Sequence, residues 1–350
     1  MCLTHNNELQ TKLGVNSKIP VLACLCGLQG SGKSTYAKKL KDEFEKNNPG
    51  KKCVIVSSDQ IRVEHPELAS DNTKVFNKVY ADINYWLRQG DCVIFDATNT
   101  TIKSRRQIFQ RVTEPCKKIC YILNTPYEEC RERLLKRNQN CDRTYNIETG
   151  ENIPNPFYVP IEALEKYHKS FEIPFYEEGW NDIVITNIID HNKSVENLGN
   201  MIRSTIGFDQ HNKHHTQLLD EHLSSVANQL YGISDVLYEA GYLHDIGKLD
   251  TQTYKEGDPN AHYYNHANVG AYKVLCNYMC WHTSEHTGDD TLMIKDTLDI
   301  IFYINYHMHM YNINTDKAEK KWRAIFGVKK FNNLVILNKA DKYNHTKVEE

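Results

Sequence analysis

Gly27-Leu-Gln-Gly-Ser-Gly-Lys-Ser34 spaces glycines, a lysine and a serine as a phosphate cradle does. Glycines at these positions let successive backbone N–H groups face a phosphate, at the positive end of the helix that follows. Lys33 would then hold the β- and γ-phosphates of ATP, and Ser34 would ligate its Mg²⁺. Gly27, Gly30, Ser31, Gly32, Lys33, Ser34 and Thr35 make up the expected nucleotide contact.

Thirty residues on, Ser57-Ser58-Asp59-Gln60-Ile61-Arg62 puts a carboxylate and a guanidinium just past a second apolar run. Asp59 there can take a proton from an attacking hydroxyl, and Arg62 can hold an anionic acceptor. Taken alone, the pair fits a helix-capping aspartate and a solvated arginine equally well. A third apolar run ends in Asp96-Ala-Thr-Asn99, whose carboxylate suits orienting Arg62 or a metal-bound water. Arg131, Arg133, Lys136, Arg137 and Arg143 then form a basic cluster that could close over a transferring phosphoryl group.

The second half holds different chemistry, since twelve of the sixteen histidines follow residue 200. His244-Asp245-Ile-Gly-Lys248 places two ligand types side by side, and His222 and Asp341 could complete a metal site. A mixed histidine and carboxylate set suits Mn²⁺, Fe²⁺, Ni²⁺, Co²⁺ or Mg²⁺ better than structural zinc. Such an ion polarises a phosphoryl group and lowers the pKa of bound water.

The elements that must carry these residues also divide in two. Apolar runs at Val21–Cys26, Lys52–Ser57, Asp91–Asp96, Ile119–Asn124 and Asp182–Thr186 alternate with helical patterns at 34–46, 72–88, 102–112 and 126–137. This predicts a parallel sheet flanked by helices. Beyond residue 205 only helical patterns are expected: 217–230, 234–244, 266–279, 291–305, 316–326 and 332–341. The expected plan is an extension over 1–20, a first domain over 21–188, a linking helix over 189–205 and an all-α domain over 206–350.

Composition sets limits. With 25% charged and 40% hydrophobic residues the profile is that of a soluble globular protein. No apolar stretch is long enough to span a bilayer, and Met1 to Pro20 lacks a secretory layout. The eleven cysteines fall mostly in apolar runs, which points to free thiols in a reducing cytoplasm. A net charge of −3 argues against nonspecific coating of nucleic acid but allows a local grip on a strand end.

The Gly27–Ser34 loop, Asp59 with Arg62, the Asp96–Asn99 run and the spacing of Arg133 and Arg137 together resemble the P-loop 5′-hydroxyl polynucleotide kinases. That resemblance covers roughly Val21–Thr186, including the stretch from Val159 through Tyr167 and Phe171 to Ile183. It implies that Asp59 is the general base on a 5′-hydroxyl, that Arg62 binds the acceptor phosphate with support from Asp96, and that Arg137 stabilises the γ-phosphate, with Arg133 and Arg143 as competitors. The order His222, His244-Asp245, Asp341 resembles the HD-domain metal phosphohydrolases. It implies one or two divalent metals, with His266 and either His307 or His282 as ligands of a second, and Lys248 as a phosphate contact. Fused, the halves resemble bifunctional enzymes that heal broken nucleic-acid ends, although in those relatives the HD module comes first. The expected activity is ATP-dependent phosphorylation of 5′-OH ends of RNA or DNA, with hydrolysis of 2′,3′-cyclic phosphate or 2′/3′-phosphate ends. No K-x-D-G motif is present, so a separate ligase is expected. Two other readings stay open: a nucleoside or small-molecule kinase fused to a nucleotide phosphohydrolase, and an ATP-gated nucleotide-sensing regulator.

Overall fold

A computed structural model describes residues 19–139, 144–145, 152–153, 158–212 and 217–345. The expected extension lies almost wholly outside them, as does Arg143. Two compact units emerge, one of residues 1–167 with 179–187 and the other of 168–178 with 188–350. The segment His168–Glu178 therefore goes with the second unit, although the resemblance had placed it in the first.

In the first unit, β1 (Val21–Cys26) leads into α1 (Lys33–Asn47), and β2 (Cys53–Ser57) into α2 (Ser58–Glu64) and α3 (Asn72–Arg88). β3 (Cys92–Asp96), α4 (Ile102–Arg111), β4 (Lys117–Ile122) and α5 (Tyr127–Gln139) follow. A two-residue pair, β5 (Thr144–Tyr145) with β6 (Asn152–Ile153), precedes α6 (Ile161–Lys169) and the edge strand β7 (Asp182–Ile185). The main sheet has the order β2-β3-β1-β4-β7, with every neighbouring pair parallel. All six residues of β1 are buried, as a central parallel strand covered on both faces must be. Leaving β1, the chain turns first toward β2 and later toward β4. The loop after β1 thus sits at the switch point where such sheets open a binding crevice. Asp71 caps α3 through the backbone N–H groups of Thr73 and Lys74. Val75, Val79, Ile83 and Leu87 on its inner face are buried, the spacing expected of an amphipathic helix.

The second unit is mainly helical: α7 (His191–Arg203), α8 (Leu219–Leu230), α9 (Asp235–Leu243), the short α10 (Lys248–Thr251), α11 (His266–Asn277), α12 (Trp281–Thr287), α13 (Asp290–Tyr306), α14 (Asp316–Phe326) and α15 (Val328–His345). The all-α expectation needs one correction. β8 (Gln252–Tyr254) and β9 (Ala261–Tyr263) form an antiparallel hairpin, too short to show an alternating pattern in sequence. The expected linking helix, α7, belongs to this unit: Ser194 Oγ donates to the Met279 carbonyl at 3.0 Å, and Asn197 Nδ2 to that of Asn277 at 3.0 Å. Phe175, Phe302, Tyr306 and Phe326 form an edge-on aromatic cluster in the core.

Candidate functional site

The glycine-rich loop is held from three sides. Gly27 N–H donates to the Thr98 carbonyl at 3.0 Å, Thr125 Oγ1 donates to that of Ser31 at 2.9 Å, and Arg133 Nη1 to that of Gly30 at 3.3 Å. Gly30 sits at φ +79°, and a Cβ there would lie 2.5 Å from the Cys130 carbonyl oxygen. Only glycine lets α5 approach the loop this closely. Lys33 folds back onto the Gly27 and Leu28 carbonyls at 3.1 and 2.7 Å. Burial lowers its pKa, against the pull of Asp96. Ser34 Oγ donates to Asp96 Oδ2 at 2.7 Å. Burial raises the Asp96 pKa, while the Ser34 bond and Lys33 oppose it. The hydroxyl and carboxylate therefore form a pair beside the loop, the arrangement that holds Mg²⁺ on a nucleotide in P-loop proteins.

This changes the expected partner of Arg62. Asp96 faces Ser34; Arg62 instead reaches Asp59 Oδ1 at 3.2 Å, the Ser58 carbonyl at 3.1 Å and Asn72 Oδ1 at 2.8 Å. The cause is local: Asp59 and Arg62 are neighbours on α2, and Asn72 opens α3 against it. Asp59 is exposed, yet close enough to Lys33 and Asp96 to influence both. Asn99, the last residue of the Asp96–Asn99 run, is buried at φ 48°, and its Nδ2 donates to the Leu25 carbonyl at 2.9 Å. It staples β1 to the end of β3. Among the basic cluster, Arg133 also pairs with Glu129, Arg131 and Lys136 are exposed, and the buried Nε of Arg137 has no hydrogen-bond partner among the described residues.

In the helical unit, six residues named from the sequence come together. His222 leaves α8, His244 and Asp245 end α9, His266 opens α11, His307 follows α13 and Asp341 lies in α15. All six are buried. Asp245 stands between two groups. Its Oδ2 lies 3.4 Å from Nε2 of both His222 and His244, and its Oδ1 lies 3.1 and 3.5 Å from Nε2 of His266 and His307. Asp341 Oδ1 lies 3.2 Å from His222 and 3.6 Å from His244. Two ligand triples result: His222, His244 and Asp341, and Asp245, His266 and His307. His282, the alternative to His307, stands apart with Glu239 and Cys280.

The atoms themselves show whether a cation fits. Nδ1 of His244, His266 and His307 donates to the carbonyls of Gly241, Tyr263 and Ile304 at 2.7–2.8 Å. In the neutral rings Nε2 then carries a lone pair, so acceptors face carboxylate oxygens in a buried space. Among the described residues these two carboxylates are offset by one ammonium, Lys248, 2.6 Å from Asp245 Oδ2 and 2.7 Å from Gln210 Oε1. Burial disfavours protonation of His244, but Asp245 and Asp341 outweigh it and push its pKa up to about 10. The pocket calls for positive charge, and the donor set fits one or two divalent ions. Tyr311 donates to Asp341 Oδ2 at 2.7 Å and fixes that carboxylate, as outer hydrogen bonds do around metal ligands.

Two glycines make this convergence possible. A Cβ on Gly247 would meet the His266 carbonyl oxygen at 2.1 Å, and one on Gly270 the Gly247 nitrogen at 2.9 Å. The turn after His244-Asp245 thus lies directly on α11, which brings His266 to Asp245. Sequence reasoning missed Asn72, Gln210, Tyr311 and Gly270. None belongs to a motif; Gly270, inside a helical pattern, was the one available signal.

A family model described as an AAA domain matches residues 22–174. A signal recognition particle protein of Rickettsia felis is 45% identical over 60 residues, 17% of this chain and 13% of that protein. A chain in a structure titled "Structure of the Pnkp1/Rnl/Hen1 RNA repair complex" is 25% identical over 44% of this chain and 47% of that one, with a TM-score of 0.31. Chaetomium thermophilum Kti12 with ADP-AlF3 is 18% identical over 53% of this chain and 99% of its own, with a TM-score of 0.37. This chain thus spans about an eighth of that curated relative and under half of the repair-complex chain. The first unit carries a P-loop at the end of the central strand of a parallel sheet, with a helical unit after it. Among the described residues no helix is long and apolar enough to cross a membrane.

Proposed function

We propose that this chain heals nucleic-acid ends, RNA above all, by two reactions on two units. The first unit transfers the γ-phosphoryl group of ATP to a 5′-hydroxyl. Lys33 leaves the loop carbonyls to hold the phosphates, and Ser34 with Asp96 holds Mg²⁺. Asp59 accepts the hydroxyl proton, and Arg62, set by Asn72, holds the acceptor's phosphate. Arg133 and Arg137 serve the transferring group. The second unit is an HD-type phosphohydrolase acting on 2′,3′-cyclic phosphate or 2′/3′-phosphate ends. His222, His244, Asp245 and Asp341 would hold one divalent ion, and Asp245, His266 and His307 a second. Such ions supply Lewis acidity toward a phosphoryl oxygen. Lys248 positions Asp245 and adds positive charge for the substrate phosphate.

The observation that carries this reading is the six-residue cluster shared through Asp245, in one chain with a P-loop and its Asp59–Arg62 pair. Reciprocal variants test it on an RNA oligonucleotide bearing a 5′-OH and a 2′,3′-cyclic phosphate. Asp59→Ala should lower transfer from γ-labelled ATP by roughly 10²–10⁴-fold and leave phosphate removal intact. Asp245→Asn should do the reverse. A mononucleoside accepting phosphate while every 5′-OH oligonucleotide fails would instead support a small-molecule kinase. Nucleotide binding with no transfer to any acceptor would leave a nucleotide-sensing module. A sealing activity is expected from a separate ligase, and the reactions are those of a cytoplasmic protein.

A further inference from the structure

The second unit contains a third cluster of metal-ligating side chains that the reaction above does not use. Glu239 lies on α9, and Cys280 and His282 flank the start of α12. His282 Nδ1 is 3.0 Å from Glu239 Oε1 and 3.1 Å from Cys280 Sγ. One ligand atom from each of the three residues falls within 4.8 Å of the others.

We propose that Glu239, Cys280 and His282 form a binding site for a zinc-class divalent cation, separate from the His/Asp centre. A tetrahedral zinc has bonds of about 2.0–2.1 Å to nitrogen or oxygen and about 2.3 Å to sulfur, which sets its ligand atoms about 3.3–3.6 Å apart. The two separations from His282 Nδ1 are a few tenths shorter, so an entering ion needs only a small displacement of that ring. A thiolate, an imidazole and a carboxylate together favour zinc or cobalt over magnesium or calcium, which take oxygen alone. The surroundings hold these groups in place. Tyr278 O–H donates to Glu239 Oε2, which leaves Oε1 facing the cluster. The Cys280 backbone N–H donates to Thr297 Oγ1 at 2.9 Å, and Thr283 Oγ1 donates to Asp296 Oδ2 at 2.7 Å. Cys280 is buried, whereas the Glu239 and His282 side chains keep 20% and 36% exposure, so an ion can enter. Through the same partly exposed side chains solvent can supply water as the fourth ligand. The ion would join α12 to α9, the helix that ends at His244, and so brace the His/Asp motif without touching its substrate.

A thiolate-to-cobalt band separates this site from the His/Asp centre, which has no sulfur. The full-length chain, kept reduced and stripped with chelator, is titrated with Co²⁺ and followed by near-ultraviolet thiolate-to-cobalt charge transfer. At saturation the band should have the intensity of one thiolate-bound cobalt per chain, beside any cobalt in the His/Asp centre; it should give way to added Zn²⁺, persist in Asp245→Asn and vanish in Cys280→Ser. Tyr278→Phe keeps all three ligands and should weaken cobalt by about 10–100-fold, which keeps the test decisive if Cys280→Ser fails to fold. No band in the folded wild-type chain at saturating Co²⁺ would overturn the proposal. So would a band that survives Cys280→Ser, or cobalt affinity unchanged in both Glu239→Gln and Tyr278→Phe.

Discussion

Replacing Asp245 by asparagine should unsettle the metal-free helical unit more than most single substitutions. Lys248 is 3% exposed and its ammonium lies 2.6 Å from Asp245 Oδ2. At an effective dielectric of about 20 the gross attraction at that distance is about 6 kcal/mol. Part of it offsets the desolvation of both groups, so breaking such a pair from one side costs about 3–5 kcal/mol, because a charge is left buried. Gln210 remains as a neutral partner for Lys248. For a unit of this size each kcal/mol shifts the melting temperature by roughly 2–4 °C, giving a loss of roughly 6–20 °C. Calorimetry of the chelator-stripped full chain measures it. The transition raised by ATP and Mg²⁺ marks the first unit and should stay in place, while the other falls. Adding Lys248→Met to Asp245→Asn removes the orphaned charge and should recover most of the loss. A shift below about 2 °C, or no recovery in the double variant, would refute the view that Lys248 is held at this site by Asp245.

Asn72→Ala removes a 2.8 Å bond to Arg62 and should lower kcat/KM for the 5′-OH acceptor by about fivefold, with KM for ATP unchanged; equal effects on both substrates would contradict it. Gly30→Ala would place a Cβ 2.5 Å from the Cys130 carbonyl at a positive φ, so nucleotide binding followed by fluorescence should weaken at least tenfold or so; wild-type affinity would show that the loop does not need this approach. Asp258 accepts bonds from Asn260 and His262, led by the Asn260 backbone N–H, and its pKa falls from 3.8 to about 2. The folded value lies below the unfolded one, so this contribution to the β8–β9 hairpin is complete above about pH 4 and is lost as the pH falls through 2. A carboxyl titration by NMR with a midpoint near 4 would contradict that assignment.

The parallel sheet and its helices were legible because burial on both faces leaves continuous apolar runs, and because α3 advertises itself through its apolar stripe. The loop at Gly27–Ser34 was legible since its backbone conformation demands glycine at fixed spacing. Partnerships were harder. Asp96 and Arg62 seemed natural partners as opposite charges after successive strands, but adjacency in the sheet brings the end of β3 beside the loop that follows β1, and so Asp96 meets Ser34. The helical unit repeats this lesson. His244-Asp245 was conspicuous as a dipeptide, yet the bridging placement of Asp245 depends on how closely Gly247 lets α11 approach. Glu239, Cys280 and His282 come from a helix interior and a turn some forty residues away, with no spacing that would pair them. Likewise nothing local marked 168–178 as part of the second unit; Asn305 Oδ1, which takes the Ile173 N–H at 2.7 Å, lies far off in sequence.

The claim that Asp245 joins two metal positions into one phosphoesterase centre can be tested by anomalous diffraction from crystals of the full chain loaded with Mn²⁺. Two peaks about 3.5–4 Å apart are expected, one beside His222, His244 and Asp341, the other beside His266 and His307, with an Asp245 oxygen on each. Manganese absent from this cluster, or bound there without Asp245, would contradict the account.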